Sequence, residues 1–202
     1  MAVDAKVRQI VELVTARGEL DDTYFFFTSD NGYMEGQHRI STGKLQVYEP
    51  SAAVPLIIRG PGFPAGSEYR RVAGLQDLAP TLLDLAGVGV PEAAPEIDGV
   101  SLRGLVDGSV SSRRPQVVEI ADNSRIRNER RAGPSWLARA VVTNSQWKYV
   151  EYPLTDEVEM YRLRKDPYEL RNLARGSEHR RKEARLRRLL HRYRNCVGAD
   201  CS

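Results

Sequence analysis

The stretch Thr23–Pro61, TYFFFTSDNGYMEGQHRISTGKLQVYEPSAAVPLIIRGP, decides how this 202-residue chain is read. An aromatic run, Tyr24 to Thr28, stops at once in Ser29-Asp30-Asn31-Gly32. A continuous apolar run of this kind fits a strand covered on both faces. The residues after it set a carboxylate and an amide oxygen side by side at the strand's carboxyl end. In open α/β sheets, ligands bind along that edge. Two such oxygens suit a hard divalent cation. Asp-Asn-Gly is equally suited to an Asx turn that binds nothing.

Upstream, residues 3–17 read as a helix, with Val3, Val7, Ile10, Val11 and Val14 on its apolar face and Gly18 as a C′ residue. Helix then buried strand is half of a βαβ unit. The strand at 24–28 is therefore expected inside a mainly parallel sheet whose other strands lie before Met1. Downstream, Asp30–Glu49 is a long loop, and Val54–Arg59 is a second strand stopped by Gly60-Pro61-Gly62. Asp77–Ala86, DLAPTLLDLA, is a helix with Asp77 as its cap, Pro80 in its first turn and Gly87 after it. Residues 88–115, rich in Pro, Gly, Ser and Asp, read as an extended connection.

The style then changes. Gln116–Ile120, Ala138–Thr143, Trp147–Tyr152 and Glu159–Leu163 are short strand-like runs, with Asn144-Ser145 as a hairpin turn between two of them. One basic helix follows. Strands followed by a single helix suggest a small α+β subdomain with an antiparallel sheet. The expected division is residues 1–115, part of a catalytic domain, and 116–202, the subdomain.

Hydrophobic content of 41% and charged content of 28% are ordinary for a globular protein. The net charge of +3 hides an asymmetry: residues 178–194 hold eight Lys/Arg against Glu178 and Glu183, so they carry +6 and the remainder −3. Leu186, Leu189, Leu190 and Tyr193 form one apolar stripe on this segment. That favours an amphipathic helix with a solvated basic face over a nucleic-acid patch. No nucleic-acid partner is expected, and His179 and His191 are expected to face solvent. The Arg-rich run 122–136 is read as a solvated loop. No apolar run approaches the ~20 residues that span a bilayer, so no membrane partner is expected. Residues 1–14 lack the basic and apolar regions of a secretion signal, so an exported parent would carry its signal further upstream. Cys196 and Cys201 lie five apart in a glycine-containing tail. They could close a small ring in an oxidising compartment or remain free thiols.

Further motifs follow Asp30-Asn31-Gly32 in a fixed order. They are Lys44, Tyr48-Glu49, Val54–Gly62 (VPLIIRGPG), Asp77–Gly87, Asp98–Leu102 (DGVSL), Trp147-Lys148-Tyr149, Glu159–Leu163 (EMYRL), Asp166-Pro167 and Glu169–Leu173 (ELRNL). Together they resemble the sulfatase family over roughly residues 3–174, most of all the branch of N-acetylglucosamine-6-sulfatases and arylsulfatases. The one departure is Arg162, where that family usually has Asp.

The resemblance implies an α/β fold, part of an alkaline-phosphatase-like sandwich with a small C-terminal α+β subdomain of antiparallel sheet plus helix. It implies hydrolysis of a sulfuric ester, with a glycan or aryl sulfate as substrate. Asp30 and Asn31 would ligate Ca2+, and Lys44 would bind the sulfate and steady the leaving oxygen, a role suited to a compact cation with several donors. His38 would supply a proton or hydrogen bond there, or lie behind the site or on the surface. Glu49 would be structural. The family's nucleophile is a formylglycine made within Cys/Ser-x-Pro-x-Arg, and these 202 residues contain no such motif. The chain is therefore expected to be a C-terminal portion, inactive alone, whose first partner is the missing N-terminal half. Two other readings are a non-catalytic truncated sulfatase-like protein and another hydrolase of the alkaline-phosphatase superfamily, such as a phosphodiesterase. The particular ester is not encoded in these residues.

Overall fold

The structure, a computed structural model, describes residues 2–88, 97–106, 114–122 and 135–201. Its contacts group into two compact units, residues 1–29 with 55–69, and residues 30–54 with 70–202. Within this chain, the loop after residue 30 groups with the C-terminal sheet.

The first unit holds helix α1 (Ala2–Ala16) and strands β1 (Phe25–Thr28) and β2 (Leu56–Arg59). β1 and β2 pair antiparallel, with Phe25 opposite Arg59 and Thr28 opposite Leu56. The sequence names no direction for this pair, and the mainly parallel sheet expected around β1 concerns other strands. An antiparallel partner needs only a chain that turns back, whereas a parallel one needs a crossover, and no parallel pair occurs among the described residues. Nor is β1 covered on both faces here: Phe27 is 39% exposed and its partner Ile57 62%. α1 buries none of its residues.

The second unit is built on a four-stranded antiparallel sheet in the order β3 (Gln116–Asp122), β4 (Ser135–Val142), β5 (Trp147–Tyr152), β6 (Glu157–Arg162). The turn between β4 and β5 falls at Asn144-Ser145, closed by Thr143 and Trp147 backbone bonds. Period-two alternation assigns every side chain to one of two faces. One face carries Val117, Val141, Tyr149, Val158 and Met160, and packs on Leu186, Leu189 and Leu190 of helix α5 (Arg180–Tyr193). This is the apolar stripe read from the sequence, with the arginines outward. The other face carries Val118, Ala138, Ala140, Val150 and Tyr152, and receives Val47. A segment of the long loop thus plugs the sheet opposite the helix.

Helix α3 (Leu78–Leu85) begins one residue after Asp77, which is fully buried. Asp77 Oδ2 accepts the Gly74 N–H at 2.9 Å, its Oδ1 accepts Val100 N–H at 3.0 Å, and it pairs with buried Arg114. It is a hub as well as a helix start. Gly99 belongs to the same junction: a Cβ there would lie 2.1 Å from the Gln76 carbonyl oxygen. The connection expected to be extended contains a short helix, α4 (Leu102–Val106), because Thr81 Oγ1 accepts the Leu102 N–H at 2.9 Å and starts a turn. Residues 89–96 and 107–113 of that connection, and 123–134 of the Arg-rich run, lie outside the described residues.

Cys196 and Cys201 form a disulfide. The tail it closes is held by Gly198 N–H on Asp98 Oδ1 at 2.7 Å. The two helix histidines do not simply face solvent. His191 Nε2 lies 2.9 and 3.0 Å from the Glu151 carboxylate oxygens, and His179 packs edge-on to Trp147. His191 sits where α5 meets the sheet, with the Glu151 carboxylate within reach.

Leu190 is wholly buried between α5 and the sheet. Leu190→Ala is expected to lower unfolding stability by about 2–5 kcal/mol, through lost transfer energy plus the cavity left behind. Urea unfolding followed by circular dichroism measures this as a lower midpoint at unchanged slope.

Candidate functional site

The loop from Asp30 to Val54 is folded by its own backbone bonds. Met34 and Gly43 bridge in both directions, at 2.7 and 3.2 Å, and Met34 is fully buried. This pinch brings Lys44 back beside the loop's start, where its Nζ donates to Asn31 Oδ1 at 3.1 Å. Asp30 Oδ1 accepts the Asn31 N–H at 2.9 Å, and Asn31 Nδ2 donates to the Gly32 carbonyl at 2.8 Å. Asp30 and Lys44 are exposed and Asn31 half-buried. Three of the four residues singled out from the sequence therefore stand together.

The fourth, His38, is oriented otherwise. Its ring stacks on Tyr48 at 3.9 Å between centroids, with the two planes nearly parallel. It has a left-handed backbone (φ 53°), as do Arg39 (φ 62°) and Leu45 (φ 70°) in the same loop. Such conformations persist only where the surroundings over-determine them.

What over-determines them is helix α2 (Glu49–Ala52) and the residues before it. Ser51 is buried, its carbonyl accepts the Gly32 N–H at 2.9 Å, and its Oγ accepts the Gln46 N–H at 3.2 Å. Gly32 must be glycine: a Cβ would lie 2.1 Å from the Pro50 carbonyl oxygen. The glycine of Asp-Asn-Gly therefore serves close approach of two backbones.

α2 is in turn fixed to the sheet by two adjacent side chains. Tyr48 Oη donates to Glu159 Oε1 at 3.0 Å, and Tyr152 Oη donates to Glu159 Oε2 at 3.1 Å. Glu49 Oε1 accepts from Lys148 Nζ at 2.9 Å, and Glu169 Oε1 lies 2.8 Å from the same nitrogen. Glu169 Oε2 accepts the Glu49 N–H at 2.7 Å. Lys148 is 0% exposed and Glu169 1%. Burial drives the Glu169 carboxyl up from its ordinary value, against the pull of Lys148. Burial, reinforced by the Glu159 charge, likewise raises the phenols of Tyr48, Tyr152 and Tyr161.

The run from Asp166 to Leu173 aims Glu169 inward. Asp166 accepts Leu170 and Arg171 N–H at 3.0 and 2.9 Å and makes a tight turn in which Glu169 takes φ 55°. Asn172 then zips the chain to β6, accepting Met160 N–H at 3.0 Å and donating to the Val158 carbonyl at 3.1 Å. Sequence reasoning placed Glu49 as structural and quoted Lys148 and Glu169 only as motif letters. The available signal was a lysine on the same strand face as Val150 and Tyr152.

Among the described residues, no group of three or more His, Cys, Asp or Glu is placed to hold a metal ion. Asp30 and Asn31 present one carboxylate and one amide oxygen, the right chemistry for part of a hard-cation site.

Comparison with known proteins agrees with this architecture. The family model described as N-sulphoglucosamine sulphohydrolase, C-terminal, matches residues 36–196. The chain belongs to the sulfatase family, and what it represents is that family's C-terminal domain. It is 37% identical over 172 residues to a choline-sulfatase of Rhizobium meliloti (strain 1021), covering 85% of this chain and 31% of that protein. It is 30% identical over 200 residues to an N-acetylglucosamine-6-sulfatase of Capra hircus, covering 87% and 35%. The fold matches an enzyme solved in complex with its substrate D-glucosamine-2-N,6-O-disulfate at a TM-score of 0.78 and 31% identity, over 94% of this chain and 37% of that one. It also matches a phosphonate monoester hydrolase of Agrobacterium radiobacter at 0.75 and 28%, over 94% and 38%. The chain spans about a third of the length of these curated relatives.

The raised phenols have a measurable consequence. The folded state keeps protons on Tyr48, Tyr152 and Tyr161 above the ordinary value of 10.0. Their contribution to stability is therefore whole below that pH and is lost as pH rises above it. Phenolate absorbance on alkaline titration should show these tyrosines ionising only as the chain unfolds. Tyr152→Phe should move the unfolding step to higher pH.

Proposed function

We propose that this chain supplies the sulfate-binding lysine and two of the metal-ligand oxygens of a sulfuric-ester hydrolase. The observation that carries this is Lys44 Nζ 3.1 Å from Asn31 Oδ1, beside Asp30, on a loop fixed from both ends. Asp30 and Asn31 would hold Ca2+, which when bound supplies positive charge to sulfate oxygens. Lys44 would donate hydrogen bonds to the sulfate and to the oxygen on which charge develops as the S–O bond breaks. His38, stacked on Tyr48, would shape the loop and stand behind Lys44. The formylglycine nucleophile of the family would come from residues other than these 202. Substrates are proposed to be sulfate esters, glycan sulfates first, as two of the matched proteins are named for sulfated amino sugars.

The likeness to a phosphonate monoester hydrolase supports a second reading, in which the same loop serves a phosphorus ester. Release of sulfate against phosphonate cleavage by a complete enzyme separates the two.

On an aryl sulfate with Ca2+, the purified chain alone is expected to give no turnover above its Lys44→Ala variant. Two oxygens are too few of the 6–8 that calcium prefers. Fused to the N-terminal part of a sulfatase relative, the chain should turn over the ester. Lys44→Ala in that fusion should lower kcat/KM by about a hundredfold or more. An unchanged rate would remove Lys44 from the site.

A further inference from the structure

Lys148 sits on β5, 99 residues from Glu49 in sequence, with its ammonium wholly out of water. A buried ammonium is costly to desolvate, and replacing a buried ion pair by apolar groups is often neutral or stabilising. Fold stability alone is therefore a weak reason for it. Its placement offers a better one. The sheet already has an apolar filling on this face from Val47. Lys148 adds direction: its two carboxylate partners are the first residue of α2 and the residue that accepts that same residue's N–H. Apolar packing would let α2 slide or rotate. A charge-assisted bond and a backbone N–H bond at Glu49, tied to each other through the Lys148–Glu169 ion pair, would not.

From α2 the constraint passes on through bonds already described. Ser51 fixes Gly32, next to Asn31, and Gln46, two residues after Lys44. The two ends of the pinched loop are thereby held on one short helix, so its position sets the approach of Lys44 to Asn31. The strained turn that presents Glu169 is part of the same device.

We propose that Lys148 is a positioning residue, which acts through Glu49, Glu169 and α2 to hold Asn31 and Lys44 in register. The proposal rests on Asp30, Asn31 and Lys44 forming a site, but its test does not need activity. Amide hydrogen exchange by NMR is compared in the full chain and in Lys148→Met, which keeps most of the stem and removes the charge. In the variant, the Gly32 N–H should exchange at least about tenfold faster, while the Arg194 N–H bonded to Leu190 in α5 stays as protected as before. The Asn31 side-chain amide signal should shift, as Lys44 leaves its oxygen. Adding Glu169→Gln removes the buried carboxylate left unpaired and should recover global stability, but the Gly32 N–H should stay fast, because the cation that holds α2 is still missing. Restored Gly32 protection would overturn the proposal. If Lys148→Met does not fold, Glu49→Gln is measured in the same way and should give the same local loss. Equal acceleration at Gly32 and Arg194, or unchanged protection at Gly32, would overturn the proposal and leave the triad a general stabiliser. Should local loss occur while Lys44→Ala leaves turnover of the fusion unchanged, the coupling stands and the site assignment falls.

Discussion

One buried cation organises the larger unit. Lys148 has no water to turn to, so its ammonium must be met by carboxylates, and those carboxylates must be delivered from elsewhere in the chain. Glu49 arrives at the start of α2 and Glu169 at a turn folded by Asp166. Each delivery constrains a segment that would otherwise be loop. The sheet is thereby covered on both faces by different means: apolar packing of α5 on one, a polar clasp around the Val47–Glu49 segment on the other. The clasped segment is the one that carries the candidate site.

Tyr48 and Glu49 show how two neighbouring residues divide this work. Tyr48 reaches Glu159 and Tyr152 and takes His38 as a stacking partner. Glu49 reaches Lys148 and accepts the orientation that Glu169 imposes on its own N–H. The dipeptide leaves little freedom for the backbone between them. Half-buried Asn31 and exposed Lys44 gain their geometry from this interior.

Much of the architecture was legible in the chain's own pattern. The four strands of the sheet, their hairpin turn at Asn144-Ser145 and the stripe Leu186, Leu189, Leu190 follow from alternation and helical period, which are local. The strand partner of Phe25–Thr28 was not legible as antiparallel, because pairing direction depends on where the chain goes between residues 29 and 55. The short helix at Leu102–Val106 was hidden for a similar reason: it is started by Thr81, 21 residues earlier. Asp30, Asn31 and Lys44 were picked out by motif, and the structure brings Asn31 and Lys44 into contact. The clasp behind them was not seen. A lysine in a strand reads as solvated until its partners, 99 residues before it and in a distant turn, are known to converge on it.

The account stands or falls on Lys148 and Glu169 acting as one unit. A double-mutant cycle tests this most directly, with the unfolding free energies of the wild type, Lys148→Met, Glu169→Gln and the double variant taken from urea titration. Each single change strands a charge or a donor in the interior, and the second change removes it. The cycle should give a coupling energy of about 2 kcal/mol or more, with the double variant far more stable than the sum of the singles implies. Additivity to within about 0.5 kcal/mol would mean that the two groups do not sense each other, and would contradict the account.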